Sequence, residues 1–279
     1  MSRMELHIDF LKNLALHVYS AVHPLLGLKE SSNKAQRGAG GDISMQIDLI
    51  AENSIINYLE KENVDILLIS EEIGEKFIGN KERAIKNRNV LIVDPVDGSN
   101  NAVRGIPYCS VSIAYAIGQY SQNIEKAVVL NLVTKDIYWA IKGECAYMNG
   151  KKIQVSNLGH SDKCFFELDL PKKNTFHNIE RLKPIIQKFY RMRILGSSAL
   201  TLCLVAKGSM EAFINLQESN RLVDVAAGLL ILKEAGGRFF SLKGVDLDLE
   251  LSIKTRFPFI ACNANLESFL KKEFINMGH

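Results

Sequence analysis

The sequence predicts a layered α/β protein. Strand-like and helix-like stretches alternate through its second half. Short β-branched runs in the first half end at carboxylates and turn residues. The 279 residues suit one large domain or two modest ones, and 47% hydrophobic with 23% charged residues fits a globular chain. No apolar run reaches the roughly 18 residues of a membrane span, so no membrane partner is expected. A net charge of +3, from 34 basic and 31 acidic residues dispersed along the chain, argues against nucleic acid as a partner. Met1 to Glu5 lacks the apolar core of a signal peptide. The five cysteines (109, 145, 164, 203, 262) include no C-x-x-C and read mostly as buried free thiols, which fits a cytoplasmic location. The six histidines show no zinc-ligand spacing.

Residues 5–26 place Leu6, Phe10, Leu14, Val18, Val22 and Leu25 on one face of a helix that ends near Pro24 and Gly27. Residues 29–42 are polar, contain Gly38, Gly40 and Gly41, and read as a mobile loop. A second helix over about 44–60 carries Ile47, Ala51, Ser54, Ile55 and Tyr58 on one side. A short buried strand over 66–70 runs directly into Glu71 and Glu72, and 75–88 is charged and exposed. Strands at 109–117, 125–132 and 136–142 lead to a hairpin over 143–153, turned by Asn149-Gly150. Ser156, Asn157, Gly159, His160 and Ser161 mark a boundary between an α+β part, 1–158, and an α/β part, 159–279. Beyond it, strands at 164–170, 192–195, 211–216, 237–242 and 257–262 alternate with helices at 178–190 and 198–207. An amphipathic helix at 223–235 and a final helix at 264–274 complete the series.

The run Val90-Leu91-Ile92-Val93-Asp94-Pro95-Val96-Asp97-Gly98-Ser99 is the most informative stretch. Its apolar start reads as a buried strand whose ladder Pro95 ends, since proline has no N–H to donate. Gly98 permits a tight turn and Ser99 can cap a helix. Two carboxylates beside a turn and a helix start offer hard oxygen ligands to Mg²⁺ and N–H groups to a phosphate. The same residues are ordinary turn formers, and a solvated strand-to-turn junction is the alternative reading. Other acids stand at comparable junctions: Asp42 and Asp48 flank the second helix start, Glu71 follows a strand, and Asp224 precedes an apolar helical run, where an acid also serves as a cap.

Five pieces together resemble the inositol monophosphatase family of magnesium-dependent, lithium-sensitive phosphatases, whose superfamily includes fructose-1,6-bisphosphatases. They are Gly41-Asp42 through Asp48, Ser70-Glu71-Glu72, Asp94 through Asn100, Gly196-Ser197-Ser198-Ala199 and Asp224-Val225-Ala226-Ala227-Gly228. The resemblance covers nearly the whole chain, with the pieces in the family's order and approximate spacing. Gly105-Ile106-Pro107-Tyr108, Glu211-Ala212-Phe213 and Asn220-Arg221-Leu222 resemble the archaeal branch, known for acting on both inositol phosphates and fructose 1,6-bisphosphate. The resemblance implies the layered α-β-α-β-α sandwich of the sugar phosphatase superfamily, a homodimer, and hydrolysis of a small sugar or polyol phosphate. A nucleotide phosphatase acting on 3′-phosphoadenosine phosphate or NADP, and a non-catalytic metal- or phosphate-binding homologue, are the alternatives.

Residue by residue, the resemblance implies that Glu71, Asp94 and the Val96 carbonyl hold a first Mg²⁺. Asp94, Asp97 and Asp224 hold a second, and a weaker third ion lies near Glu71, with Mn²⁺ as a substitute. Asp48 and Ser99, together with Glu71, act on the attacking water, and the N–H groups of Gly98 and Ser99 hold phosphate oxygens. Ser197 falls among the substrate contacts; Arg191, Arg193 and Arg221 are candidates to reach a second phosphate, with ordinary surface charge as the alternative; and residues 29–42 read as a lid bringing in Lys34 and Asp42. Departures are Ser99 where the family usually has threonine, Val223 where tryptophan or threonine is common, and Asn215 or Gln217 near a substrate-binding glutamate.

Overall fold

The computed structural model describes residues 5–278 apart from 42, 162, 172 and 174, and only the backbone of residues 34–37 and 43. Helix α1 (Ile8–Val22) buries Leu11, Leu14, Ala15, Val18 and Val22, a stripe at helical spacing. The polar stretch expected as a loop instead holds a 3₁₀ turn (Lys29–Ser32) and an antiparallel hairpin of β1 (Lys34–Arg37) and β2 (Ile43–Met45). α2 (Gln46–Lys61) follows and packs beside α1 through Ile47, Ala51, Ile55 and Leu59.

The first sheet contains β3 (Ile66–Ser70), β4 (Gly74–Ile78) and, beyond α3 (Lys81–Asn87), β5 (Asn89–Asp97). After α4 (Ser99–Arg104) come β6 (Ser110–Ile117), β7 (Ile124–Asn131), β8 (Ile137–Ile141), β9 (Cys145–Met148) and β10 (Lys151–Ile153). Their order is β10-β9-β8-β7-β6-β5-β3-β4, and β3 with β5 is its one parallel pair. The region 75–88 is therefore not a plain exposed segment. It supplies an edge strand and a helix with one buried residue, Ala84, which is why no apolar periodicity marks it. Asn149 and Gly150 turn β9 into β10 with φ of 50° and 78°, the left-handed pair of a type I′ turn.

The second sheet begins with β11 (Phe165–Asp169), which α5 (Thr175–Ile186) connects to β12 (Arg191–Arg193). Then follow α6 (Ser198–Ala206), β13 (Ala212–Asn215), α7 (Leu222–Glu234), β14 (Arg238–Phe240), β15 (Phe259–Cys262) and α8 (Glu267–Asn276). The order is β12-β11-β13-β15-β14, with β11 parallel to both neighbours.

Strand alternation sets the layers. In β5 and β6, Leu91, Val93, Val111, Ile113 and Tyr115 face α1 and α2, while Val90, Ile92, Ala114 and Ala116 face α6 and α7. In β13 and β15, Phe213, Phe259 and Ala261 face α6 and α7, while Ala212, Ile214, Ile260 and Cys262 face α5 and α8. The result is an α-β-α-β-α sandwich with α6 and α7 between the sheets. This position corrects the amphipathic reading of 223–235: α7 is buried on nearly every side because a sheet covers each of its flanks. Cys109, Cys164, Cys203 and Cys262 are buried, and all five thiols are free. No helix of the described residues is long and apolar enough to cross a membrane.

Candidate metal centre

Two parallel strands deliver the first acids. β3 ends at Ser70, so Glu71 is the next residue, and its neighbour β5 carries Asp94 and Asp97 at its own end. Pro95 does not stop β5. The β5–β6 register slips between Asp94 and Asp97, where three steps on β5 match two from Ser112 to Ser110, and this bulge accommodates a residue that cannot donate. Asp224 comes from the first turn of α7, where it also accepts the Arg221 N–H at 3.2 Å.

Carboxylate oxygens of Glu71, Asp94 and Asp224 all lie within 4.8 Å of one another. Asp94 is 1% exposed and Asp224 9%. Burial pushes Glu71 up to about 8, with the Asp224, Glu72 and Asp48 charges adding to it and Arg221 opposing. Burial likewise raises Asp94 well above the usual carboxylate range, reinforced by Glu71, Asp97 and Asp224. Such a cluster keeps its charge only beside a cation. A hard, oxygen-only donor set of this kind fits Mg²⁺ or a similar divalent ion.

Asp97 stands beside that trio and is held differently. It accepts the Ser197 hydroxyl, the Ala199 N–H at 2.8 Å and the Ser198 N–H at 3.2 Å, so the start of α6 clasps a carboxylate from the first sheet. Burial raises it to about 7 against those hydrogen bonds. Ser197 is thereby committed to Asp97 and to capping α6 through Leu200 N–H.

Gly98, not Ser99, occupies the N-cap of α4, with φ of 89°. A Cβ there would stand 3.0 Å from the Tyr108 carbonyl oxygen and 3.1 Å from that of Gly196, so both conformation and space require glycine. Ser99 opens the helix and donates to the Val96 carbonyl at 2.8 Å. Beside it lies Asp48, at the third position of α2, where Oδ2 accepts the Met45 N–H at 2.8 Å. Its Oδ1 is buried and has no hydrogen-bond partner among the described residues. Burial raises Asp48, and the Met45 N–H and Ser99 hydroxyl counter that.

The predicted arginines separate. Arg221 lies among the acids, bonding Asp224 through Nε at 3.0 Å and pairing with Glu71. Arg191 stacks on Tyr190 and Arg193 lies over Phe165, both on the edge strand β12. Asp42 and the Lys34 side chain lie outside the described residues. Three residues were not foreseen. Glu167, 2% exposed, accepts the Leu195 and Gly196 N–H groups at 3.0 and 3.4 Å and the Thr201 hydroxyl at 2.6 Å. Asn101 donates to the carbonyls of Tyr108 and Leu195, both at 2.8 Å. Both brace the turn that leads into Ser197. A lone charge in the apolar run Phe165-Phe166-Glu167-Leu168 was the available signal for Glu167. The third, Arg256, donates to the Gly40 carbonyl at 3.0 Å.

Two carboxylates from the first sheet and one from α7, gathered where strand ends meet the helices between the sheets, form an acidic cluster that could hold a cation. The chain belongs to the inositol monophosphatase family, which matches residues 5–271, and that family is metal-dependent. A fructose-1,6-bisphosphatase/inositol-1-monophosphatase of Methanothermobacter thermautotrophicus is 37% identical over 91% of this chain and 90% of its own length. A bifunctional NADP phosphatase/NAD kinase of Methanococcus maripaludis is also 37% identical, over 96% of this chain, which spans only 49% of that relative. The solved structure of an inositol monophosphatase-fructose 1,6 bisphosphatase, 27% identical, superposes with a TM-score of 0.83, covering 97% of this chain and 100% of the other. The Thermotoga maritima IMPase is 25% identical with a TM-score of 0.78, covering 97% of each.

Proposed function

We propose that this chain hydrolyses a phosphate monoester of a small sugar or polyol, using Mg²⁺ held by Glu71, Asp94, the Val96 carbonyl, Asp97 and Asp224. The approach of Glu71, Asp94 and Asp224 to within 4.8 Å carries the reading. A bound divalent ion acidifies water and offsets charge on the phosphate and leaving oxygens. The protein's own part is positional. Asp48 presents its unpartnered Oδ1 to take a proton from water, with Ser99 beside it to orient that water. Gly98 and Ser99 offer backbone N–H groups to the phosphate. Lys34, Asp42, Arg191 and Arg193 remain candidates for contacts made on substrate binding, whereas Ser197 serves Asp97 and the cap of α6. A homodimer and a cytoplasmic location accompany the proposal.

Inositol 1-phosphate and fructose 1,6-bisphosphate lead the substrates because the relative matched along 90% of its length carries those two names. The equal identity to an NADP phosphatase/NAD kinase supports NADP as a second reading. Phosphate release from the three compounds, with Mg²⁺ or with EDTA, ranks them. Faster metal-dependent release from either sugar phosphate supports the leading proposal, and faster release from NADP replaces it with the second. Release from none, with metal bound, leaves the non-catalytic homologue.

A further inference from the structure

Arg221 sits where its charge matters most. Its backbone is extended just before α7 (φ −94°, ψ 150°), which turns the side chain back over the helix start. Nε donates to both oxygens of Asp224, at 3.0 and 3.2 Å, and Nη1 pairs with Glu71. One guanidinium thus lies between two of the three carboxylates that converge within 4.8 Å. It is well shielded, with 15% of the side chain exposed. The glycine loop lies across it. Ala39 and Gly40 donate to the carbonyls of Glu72 and Glu71 at 2.9 and 2.7 Å, and Arg256 holds the Gly40 carbonyl at 3.0 Å. A Cβ on Gly40 would stand 2.9 Å from Arg221 Nη1 and 3.2 Å from the Glu71 carbonyl oxygen, so the loop backbone lies close over the pair.

We propose that Arg221 is an intramolecular competitor for the metal centre: its guanidinium and the divalent ion contend for Glu71 and Asp224, and the arginine thereby sets the affinity for metal. The proposal rests on the reading that these acids hold a divalent ion. A guanidinium fork engages a carboxylate through the same lone pairs that a metal needs, and Mg²⁺ tolerates little departure from ideal ligand geometry. Arginine stays protonated, so it cannot yield by losing its charge and must move. Two cations at one cluster also repel strongly where water is excluded. The covering loop is bonded to the same pair, so movement of Arg221 disturbs the seat of Gly40 as well.

The test is Mn²⁺ binding to the full chain, followed by the electron paramagnetic resonance signal of free ion, for the wild type, Arg221→Gln and Arg221→Lys. Thermal unfolding in EDTA accompanies each titration. Competition predicts that Arg221→Gln binds Mn²⁺ about tenfold more tightly, equivalent to about 1.4 kcal/mol, while melting lower in EDTA because Glu71 and Asp224 lose their counter-ion. Arg221→Lys, which keeps the charge but lacks the planar fork, should fall between them and serves if the glutamine variant does not fold. Binding unchanged or weakened in the folded variants overturns the competition while leaving the metal centre standing. Absence of Mn²⁺ binding in the folded wild type overturns the metal centre itself, and the proposal with it.

Discussion

Replacing Gly98 with alanine tests how tightly the metal motif is built into the rest of the molecule. At φ of 89° an alanine pays the left-handed penalty, about 1–2 kcal/mol. Its Cβ would also stand 3.0 Å from the Tyr108 carbonyl oxygen, 3.1 Å from that of Gly196 and 3.4 Å from Cys109 Cα. All three are backbone atoms and cannot rotate away, so overpacking adds about 1–3 kcal/mol. Gly143 is the control, because its φ is 78° and no neighbouring atom lies within 4 Å of a Cβ there. Gly143→Ala should therefore cost about 1–2 kcal/mol from conformation alone, and Gly98→Ala about 2–5 kcal/mol in all. Urea unfolding of both variants in EDTA measures the difference without any contribution from metal binding. Equal destabilisation would refute the claim that Gly98 is pinned between the Tyr108 and Gly196 backbones.

Other outcomes follow from the same geometry. Ser99→Ala should slow phosphate release by about 100-fold or more, the scale of a lost water-orienting or proton-transfer partner, while changing unfolding free energy by only about 1 kcal/mol. Glu167→Ala strands the Leu195 and Gly196 N–H groups and the Thr201 hydroxyl. It should cost about 2–5 kcal/mol in urea unfolding, and Glu167→Gln should recover part of that by keeping an acceptor. In EDTA the melting temperature should fall as pH rises from about 4 to 8. Glu71 is raised from 4.5 to about 8 and Asp97 from 3.8 to about 7, so the folded state binds these protons more tightly and loses that advantage as they leave. A melting temperature that rose across this range would contradict the raised values.

Legibility in the sequence followed the range of the physics involved. The turn at Asn149-Gly150 and the buried strand into Glu71 are local patterns and formed as read, and Leu14, Val18 and Val22 of the α1 stripe are buried as expected, while Leu6 and Leu25 fall outside that helix. The convergence of Glu71, Asp94 and Asp224 was implied only by the resemblance to the family, since no local pattern brings three acids so far apart in the chain together. β4 and α3 were missed because an edge strand and a surface helix bury too little to impose a period. α7 looked amphipathic because Lys233 and Glu234 close it, yet two sheets bury the rest. Pro95 was read as a stop because a bulge depends on the partner strand, which lies elsewhere in the chain. Arg221 was expected to reach a phosphate, and the direction of a long side chain is not written in its neighbours. Glu167 and Asn101 brace the site across separations of 28 and 94 residues, beyond any local signal.

Phosphate release from fructose 1,6-bisphosphate and inositol 1-phosphate, with Mg²⁺ or EDTA, in the wild type and Asp94→Asn, addresses the metal centre most directly. Asp94 lies within the trio and is almost wholly buried, so its neutral amide removes a ligand charge with little change of shape. The expected result is Mg²⁺-dependent release by the wild type, abolished by EDTA and lost in a folded Asp94→Asn protein. Release that persists in EDTA, or an Asp94→Asn variant that turns over at the wild-type rate, would contradict a catalytic centre built on these three carboxylates.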